Sequence, residues 1–157
     1  MLIWSSAKRW MYEGDRPNRL AAAMNRVQAV LASAGLMGGW VVTLEVRGRK
    51  SGKLTSLPLV VARHGGQRYL VSMLGERASW VANVRAAGGQ VTLVHGVREG
   101  AHLREVPVAE RAPILKEYLR VAPGARPHVP VDKDAPLGDF ERIARDHPVF
   151  HIEGGRH

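Results

Sequence analysis

Cysteine is absent from the 157 residues. That excludes disulfides, cysteine-ligated metals and a thiol nucleophile, and it fits a cytoplasmic protein. Acidic residues are few: 14 Asp and Glu stand against 23 Lys and Arg, for a net charge of +9. Such a field favours anionic partners, although Arg-rich codon usage would give the same count. No apolar run reaches the roughly 18–20 residues that a membrane-spanning helix needs. Met1–Trp10 lacks the apolar core and small-residue cleavage site of a signal peptide. There is no repeat, no low-complexity tract and no long linker, and the length suits one domain over residues 1–157.

The chemical motifs that are missing narrow the function further. No Walker A motif and no Gly-x-Gly-x-x-Gly follows a strand, which argues against P-loop and Rossmann enzymes. No Gly-x-Ser-x-Gly or Ser/His/Asp set has a recognisable context. The seven histidines include no close helical pair; His95 and His102 could face each other across a hairpin, but no third ligand accompanies them, so no metal site is expected. No zinc finger, helix-turn-helix or RNP-like strand appears, and nucleic acid is not expected as a partner.

What is present is a change of period along the chain. Met24, Val27, Leu31 and Ala34 fall on one face of a helix over about 18–34. From Trp40 the period becomes two: Val42, Leu44 and Val46 alternate with Thr43, Glu45 and Arg47, as in a half-buried strand. The turn Gly48-Arg49-Lys50-Ser51-Gly52-Lys53 follows, then an extended run Leu54–Arg63 whose Pro58 implies an edge or a bulge. His64-Gly65-Gly66-Gln67 reads as a hairpin turn before a strand over 68–73. A short helix over 79–87, a hairpin about Gly96, an amphipathic helix over 109–121, a proline-rich loop over 122–136, a helix over 137–146 and a strand over 149–152 complete the pattern. The fold class expected is α+β: a barrel of about six mostly antiparallel strands over about 40–152 with flanking helices.

One local feature points to binding. The 48–52 turn offers two cations, a hydroxyl and two glycines that let the backbone bend. Successive N–H groups in such a turn can form an anion-binding concavity.

The turn is not alone. Gly48-Arg49-Lys50-Ser51-Gly52, then Pro58-Leu59, then Trp80-x-x-Asn83-Val84-Arg85-Ala86 resemble, in order and spacing, the deazaflavin (coenzyme F-420)-dependent nitroreductase and quinone reductase family of the split β-barrel, flavin-reductase-like superfamily. The resemblance implies a split β-barrel enzyme that passes a hydride from reduced coenzyme F-420 to a small acceptor: a quinone, nitro compound or enone. It places Arg49, Lys50 and Ser51 near the coenzyme's phosphate and acidic tail. It places Pro58, Leu59 and Val60 on the strand lining the ring, and Ser72, Met73, Leu74 and Gly75 at the strand end and loop beside it. Trp80, Asn83 and Arg85 fall on the helix that follows. Arg and Lys are the residue types that a phosphate and a glutamate tail require.

The sequence departs from the family's pattern in three places. Thr55 stands where relatives often have Arg. The loop from Leu74 to Ala78 is short, with Arg77 as its cation. The substrate-side tyrosines of the best-known branch have no clear match, and His128 is the nearest polar residue. Two alternative readings stay open: the same fold holding FMN or a tetrapyrrole, and a non-catalytic carrier at a membrane surface. For the second, Leu2, Ile3, Trp4, Lys8, Arg9, Trp10, Met11 and Tyr12 mix aromatics with cations as interfacial segments do. The protein is thus expected in the cytoplasm, with this segment as a peripheral contact at the inner face of the membrane, as a monomer or homodimer.

Overall fold

The computed structural model describes residues 40–154; the helix expected over 18–34 and the N-terminal aromatic and cationic segment lie outside them. The elements in chain order are β1 (Trp40–Arg47), β2 (Leu54–His64), β3 (Gln67–Val71), α1 (Ser79–Ala86), β4 (Gln90–Val94), β5 (Arg98–Glu105), α2 (Ala112–Val121), α3 (Leu137–Ile143) and β6 (Val149–Glu153). The strands close into a barrel in the order β1-β2-β3-β6-β5-β4, with every neighbour antiparallel. The closing seam sets Thr43, Leu44 and Glu45 opposite Val94, Leu93 and Thr92. The α+β barrel read from the sequence is the observed architecture.

Closure follows from the period of two. Val42, Leu44 and Val46 point inward and are fully buried, together with Leu70, Leu93, Leu103 and Phe150. The helix α1 stoppers this interior with Trp80, Val81 and Val84. A second core lies outside the barrel. There Val60 and Ala62 on the outer face of β2, with Val71, Met73 and Val149, pack under α2 and α3. Ala112, Leu115, Tyr118 and Leu119 form the buried stripe of α2 at spacings of three and four. Truncating a buried leucine or phenylalanine in either core costs about 2–5 kcal/mol.

Pro58 shows how the barrel accommodates a residue without an N–H. Among the described residues, β3 pairs with β2 only from Val61 onward, whereas β1 pairs with it over Leu54–Val61. Pro58, opposite Thr43, therefore stands on the half of β2 that needs no donor toward β3.

Some boundaries shift by a few residues from those read in the sequence, with β3 over Gln67–Val71 rather than 68–73 and α2 starting at Ala112 rather than 109, and two segments change character. The proline-rich stretch is not uniformly loop: Pro123–His128 winds into a 3-10 helix. Burial of Ala125 and Val129 against α2 supplies the order that the sequence pattern lacks. The last helix stops at Ile143 and tightens into a 3-10 turn over Ala144–Asp146.

Candidate functional site

The basic turn joins β1 to β2 and is closed by its own backbone. The Gly48 N–H donates to the Lys53 carbonyl at 2.8 Å, and the Gly52 N–H to the Gly48 carbonyl at 2.9 Å. Gly52 sits at φ +72°, a conformation that glycine adopts without the strain of a Cβ. The Ser51 hydroxyl accepts the Lys53 N–H at 3.1 Å, and Arg47 Nη1 donates to the Gly52 carbonyl at 3.0 Å.

A single buried side chain then fixes the turn to the rest of the molecule. Asn83, 7% exposed on α1, accepts at Oδ1 both the Arg49 backbone N–H at 3.0 Å and Arg49 Nη1 at 2.9 Å. Asn83 thus holds the loop through Arg49. Arg47, Arg49, Lys50 and Lys53 are all exposed, and none has a carboxylate partner among the described residues. In that same set the N–H groups of Lys50 and Ser51 donate to nothing in the chain. Four cations and two open N–H groups on a pinned turn fit an extended polyanion such as a phosphate with an acidic tail. Thr55 is turned to structure: its hydroxyl donates to the Val46 carbonyl at 2.7 Å.

The strand and loop residues divide by face. Pro58 and Val60 share the outer face of β2, Pro58 exposed and Val60 buried under α2, whereas Leu59 faces the barrel interior. Ser72 is buried and its hydroxyl donates to the Gly75 carbonyl at 2.7 Å. Met73 lies in the outer core, and Leu74 is 37% exposed. Gly75, at φ +85°, passes so close to the Asp146 carbonyl that a Cβ would stand 2.9 Å from it. Trp80 is a core anchor, 8% exposed with its ring 5.5 Å from that of Phe150. The side chain of His128 is outside the description.

Arg85 has a different occupation from the turn cations. It reaches Glu76 at 2.8 and 3.1 Å and Glu105 at 2.9 and 2.6 Å. Those carboxylates stabilise its charged form and push its pKa up, while Arg85 pulls the Glu76 carboxyl below its ordinary value. Glu105 also meets Arg111 at 3.1 Å. Arg111 is 4% exposed and donates to the carbonyls of Val106 and Ala144 at 2.8 and 2.9 Å. This chain of charges is not legible in the sequence, because its members come from the 3-10 turn Gly75–Arg77, α1, the end of β5 and the residue that precedes α2.

A groove of about 550 Å³ runs beside the Ser72–Gly75 loop, lined by Met73, Leu74, Gly75 and Arg77 on one side and by Asp146 and His147 on the other. His147 precedes a proline and belongs to no motif, so only the packing of β6 against β3 reveals it.

The fold and site thus define a closed antiparallel barrel with an exposed cationic turn between β1 and β2 and a groove beside the segment that leads into α1. The family model for F420H(2)-dependent quinone reductase matches residues 18–136, and the chain belongs to that family. It is therefore an oxidoreductase of the F-420-dependent class. A solved F420-H2 dependent reductase, FDR-A, is 25% identical with a TM-score of 0.50, over 72% of this chain and 93% of that one. A chain solved as a domain-swapped dimer is 24% identical with a TM-score of 0.52, over 72% and 79%. A NimC/NimA family protein from Clostridium acetobutylicum shares the fold at 13% identity and a TM-score of 0.51, over 82% and 83%. No curated protein matches the chain. No described helix is long and apolar enough to cross a membrane.

Proposed function

We propose that the chain passes a hydride from reduced coenzyme F-420 to a small organic acceptor of the quinone, nitro or enone type. The coenzyme's phosphate and acidic tail would lie on the Arg49-Lys50-Ser51 turn. The observation that carries this reading is the pinned turn itself, where four cations without a carboxylate partner among the described residues share one loop held by Asn83.

When bound, the coenzyme supplies the hydride. The chain's residues do the rest by position and exclusion of water. Lys50 and Arg49 would attract the tail, and the N–H groups of Lys50 and Ser51 would be free to donate to the phosphate. Pro58 offers an exposed apolar surface on β2, and Leu74 and Gly75 form the loop edge against which a flat ring can rest. Asn83 keeps the turn in register with α1. Arg85 and Trp80 contribute by holding α1 in place.

A fluorescence titration with coenzyme F-420 and with FMN, side by side, tests the assignment. The expected result is micromolar or tighter binding of F-420 and weaker binding of FMN. Tight FMN binding without deazaflavin binding would favour the alternative flavin reading.

A further inference from the structure

We propose that His147 is the residue that hydrogen-bonds and protonates the acceptor's oxygen, and that the acceptor lies in the groove between the Ser72–Arg77 segment and Asp146–His147. This rests on the reading of the chain as an F-420-dependent reductase and names its acceptor site and proton source.

The groove joins two segments more than 70 residues apart, and a set of short bonds fixes them together. The Ser72 N–H donates to the Pro148 carbonyl at 2.9 Å. The Ser72 carbonyl receives His147 Nδ1 at 3.0 Å and the Gly75 N–H at 3.2 Å. The close pass of Gly75 over the Asp146 carbonyl, described above, completes the join. His147 is only 6% exposed yet lines the groove.

A carbonyl oxygen only accepts, so Nδ1 carries a proton and the ring orientation is set. That leaves Nε2 to meet a ligand, and among the described residues it has no hydrogen-bond partner. Met73 and Leu74 give the groove an apolar wall suited to a flat ring, while Glu76, Arg77 and Asp146 supply its charged groups. Around His147 the Ser72 carbonyl meets Nδ1 and Arg111 Nη1 lies 3.5 Å from the His147 backbone carbonyl, while Glu76, Arg77 and Asp146 share the groove lining and the Glu76 carboxylate is already bonded to Arg85.

The family reaction adds a hydride, with both electrons, to the quinone and leaves a negative charge on oxygen. The Nε2–H bond of the imidazolium then breaks and an O–H bond forms on that oxygen. The product is the neutral hydroquinone, and the imidazole regains its proton from water.

Two variants and two acceptors separate this role from a structural one. His147→Asn keeps an amide donor where Nδ1 bonds the Ser72 carbonyl, and His147→Gln keeps a donor near Nε2 that cannot be lost as a proton. With 1,4-naphthoquinone, both should lose about 100-fold or more in kcat, the usual scale of general-acid catalysis, and the fall of kcat on the alkaline side of the pH profile should flatten. With N-methylphenazinium, which takes up a hydride and needs no proton, both should stay within about threefold of the parent. Equal losses with both acceptors, or no loss with the quinone, overturn the proposal. A second readout needs no coenzyme. In ¹⁵N-histidine NMR of the parent at the pH of the assay, both Nδ1 and Nε2 should carry protons, and added naphthoquinone should shift Nε2. An Nε2 without a proton, or an Nε2 signal that ignores the quinone, also overturns the proposal. Failure of the parent protein to oxidise reduced F-420 with either acceptor would mark the failure of the underlying reading instead.

Discussion

Arg85 and Arg111 meet carboxylates at 2.6–3.1 Å, whereas Arg47, Arg49, Lys50 and Lys53 share one exposed turn with no such partner among the described residues. The same residue types thus serve opposite ends in the two regions. In the first, positive charge is matched within the chain and ties α1, β5 and α2 to the 3-10 turn at Gly75–Arg77. In the second, like charges are held close together, a mutual repulsion that folding tolerates because the turn is solvated and pinned by Asn83. Unmatched charge on an ordered loop is charge available to a ligand. Matched charge next to the core is architecture.

The contrast breaks most visibly at Arg111. Replacing it with Ala removes donors from the Val106 and Ala144 carbonyls and leaves Glu105 with one cation fewer. The expected loss is about 2–4 kcal/mol, because two buried carbonyls lose their donor at about 1–3 kcal/mol each while Glu105 keeps Arg85, with coenzyme affinity unchanged while the protein remains folded. Urea unfolding with a parallel F-420 titration checks both halves. A loss below about 1 kcal/mol would remove the network from the architecture.

Glu99 extends the matched set to the opposite rim of the barrel. Hydrogen bonding from Arg68, chiefly, and from His95 lowers its carboxyl pKa from 4.5 to about 2 against the cost of burial. Arg68 reaches it at 2.8 and 3.1 Å, and Glu99 is 6% exposed. In the unfolded chain this carboxyl binds its proton first as the pH falls. Its contribution, up to about 3 kcal/mol, is therefore full above pH 5 and drains away between about pH 4.5 and 2. Stability measured across that window should fall less steeply in Glu99→Gln than in the parent, and identical slopes would contradict the assignment.

Lys50 tests the unmatched region. Lys50→Ala should weaken F-420 binding by about 1.5–3 kcal/mol, as for hydrogen bonds to charged groups, and leave stability within about 0.5 kcal/mol. Arg49→Ala sharpens the comparison, because Arg49 also bonds Asn83; it should lose affinity and about 1 kcal/mol of stability together. If neither affinity changes, the turn is only a turn.

Salt gives the smallest effect and the simplest discrimination. Exposed charges are screened over about 10 Å at 0.1 M ionic strength. F-420 affinity should therefore fall several-fold between about 50 and 500 mM NaCl, while the Arg111-dependent part of the stability stays constant. An affinity indifferent to salt would argue against a tail held by the turn.

The order in which these features become legible is physical. The turn could be read directly, because Gly48, Gly52 and the cations between them act through local backbone geometry. The partner of Arg49 could not, since Asn83 lies 34 residues away on another element. Arg85 looks in the sequence like one more site cation beside Asn83. Only the approach of Glu76 and Glu105 shows that its charge is already matched. Leu59 likewise sits beside Pro58 and Val60 in sequence but points to the opposite face, because successive residues of a strand alternate.

The sequence by itself determined the alternation that closes the barrel, the amphipathic stripe of α2, the cationic turn and the ordered motifs that mark the family. All of these depend on spacings of a few residues. Tertiary structure alone decided which cations are matched, how Asn83 fixes the turn, and that His147 meets the Ser72 carbonyl beside a groove. Most of those contacts join residues on different elements, up to 75 positions apart, and short-range periodicity carries no information about which segments the closed barrel brings together.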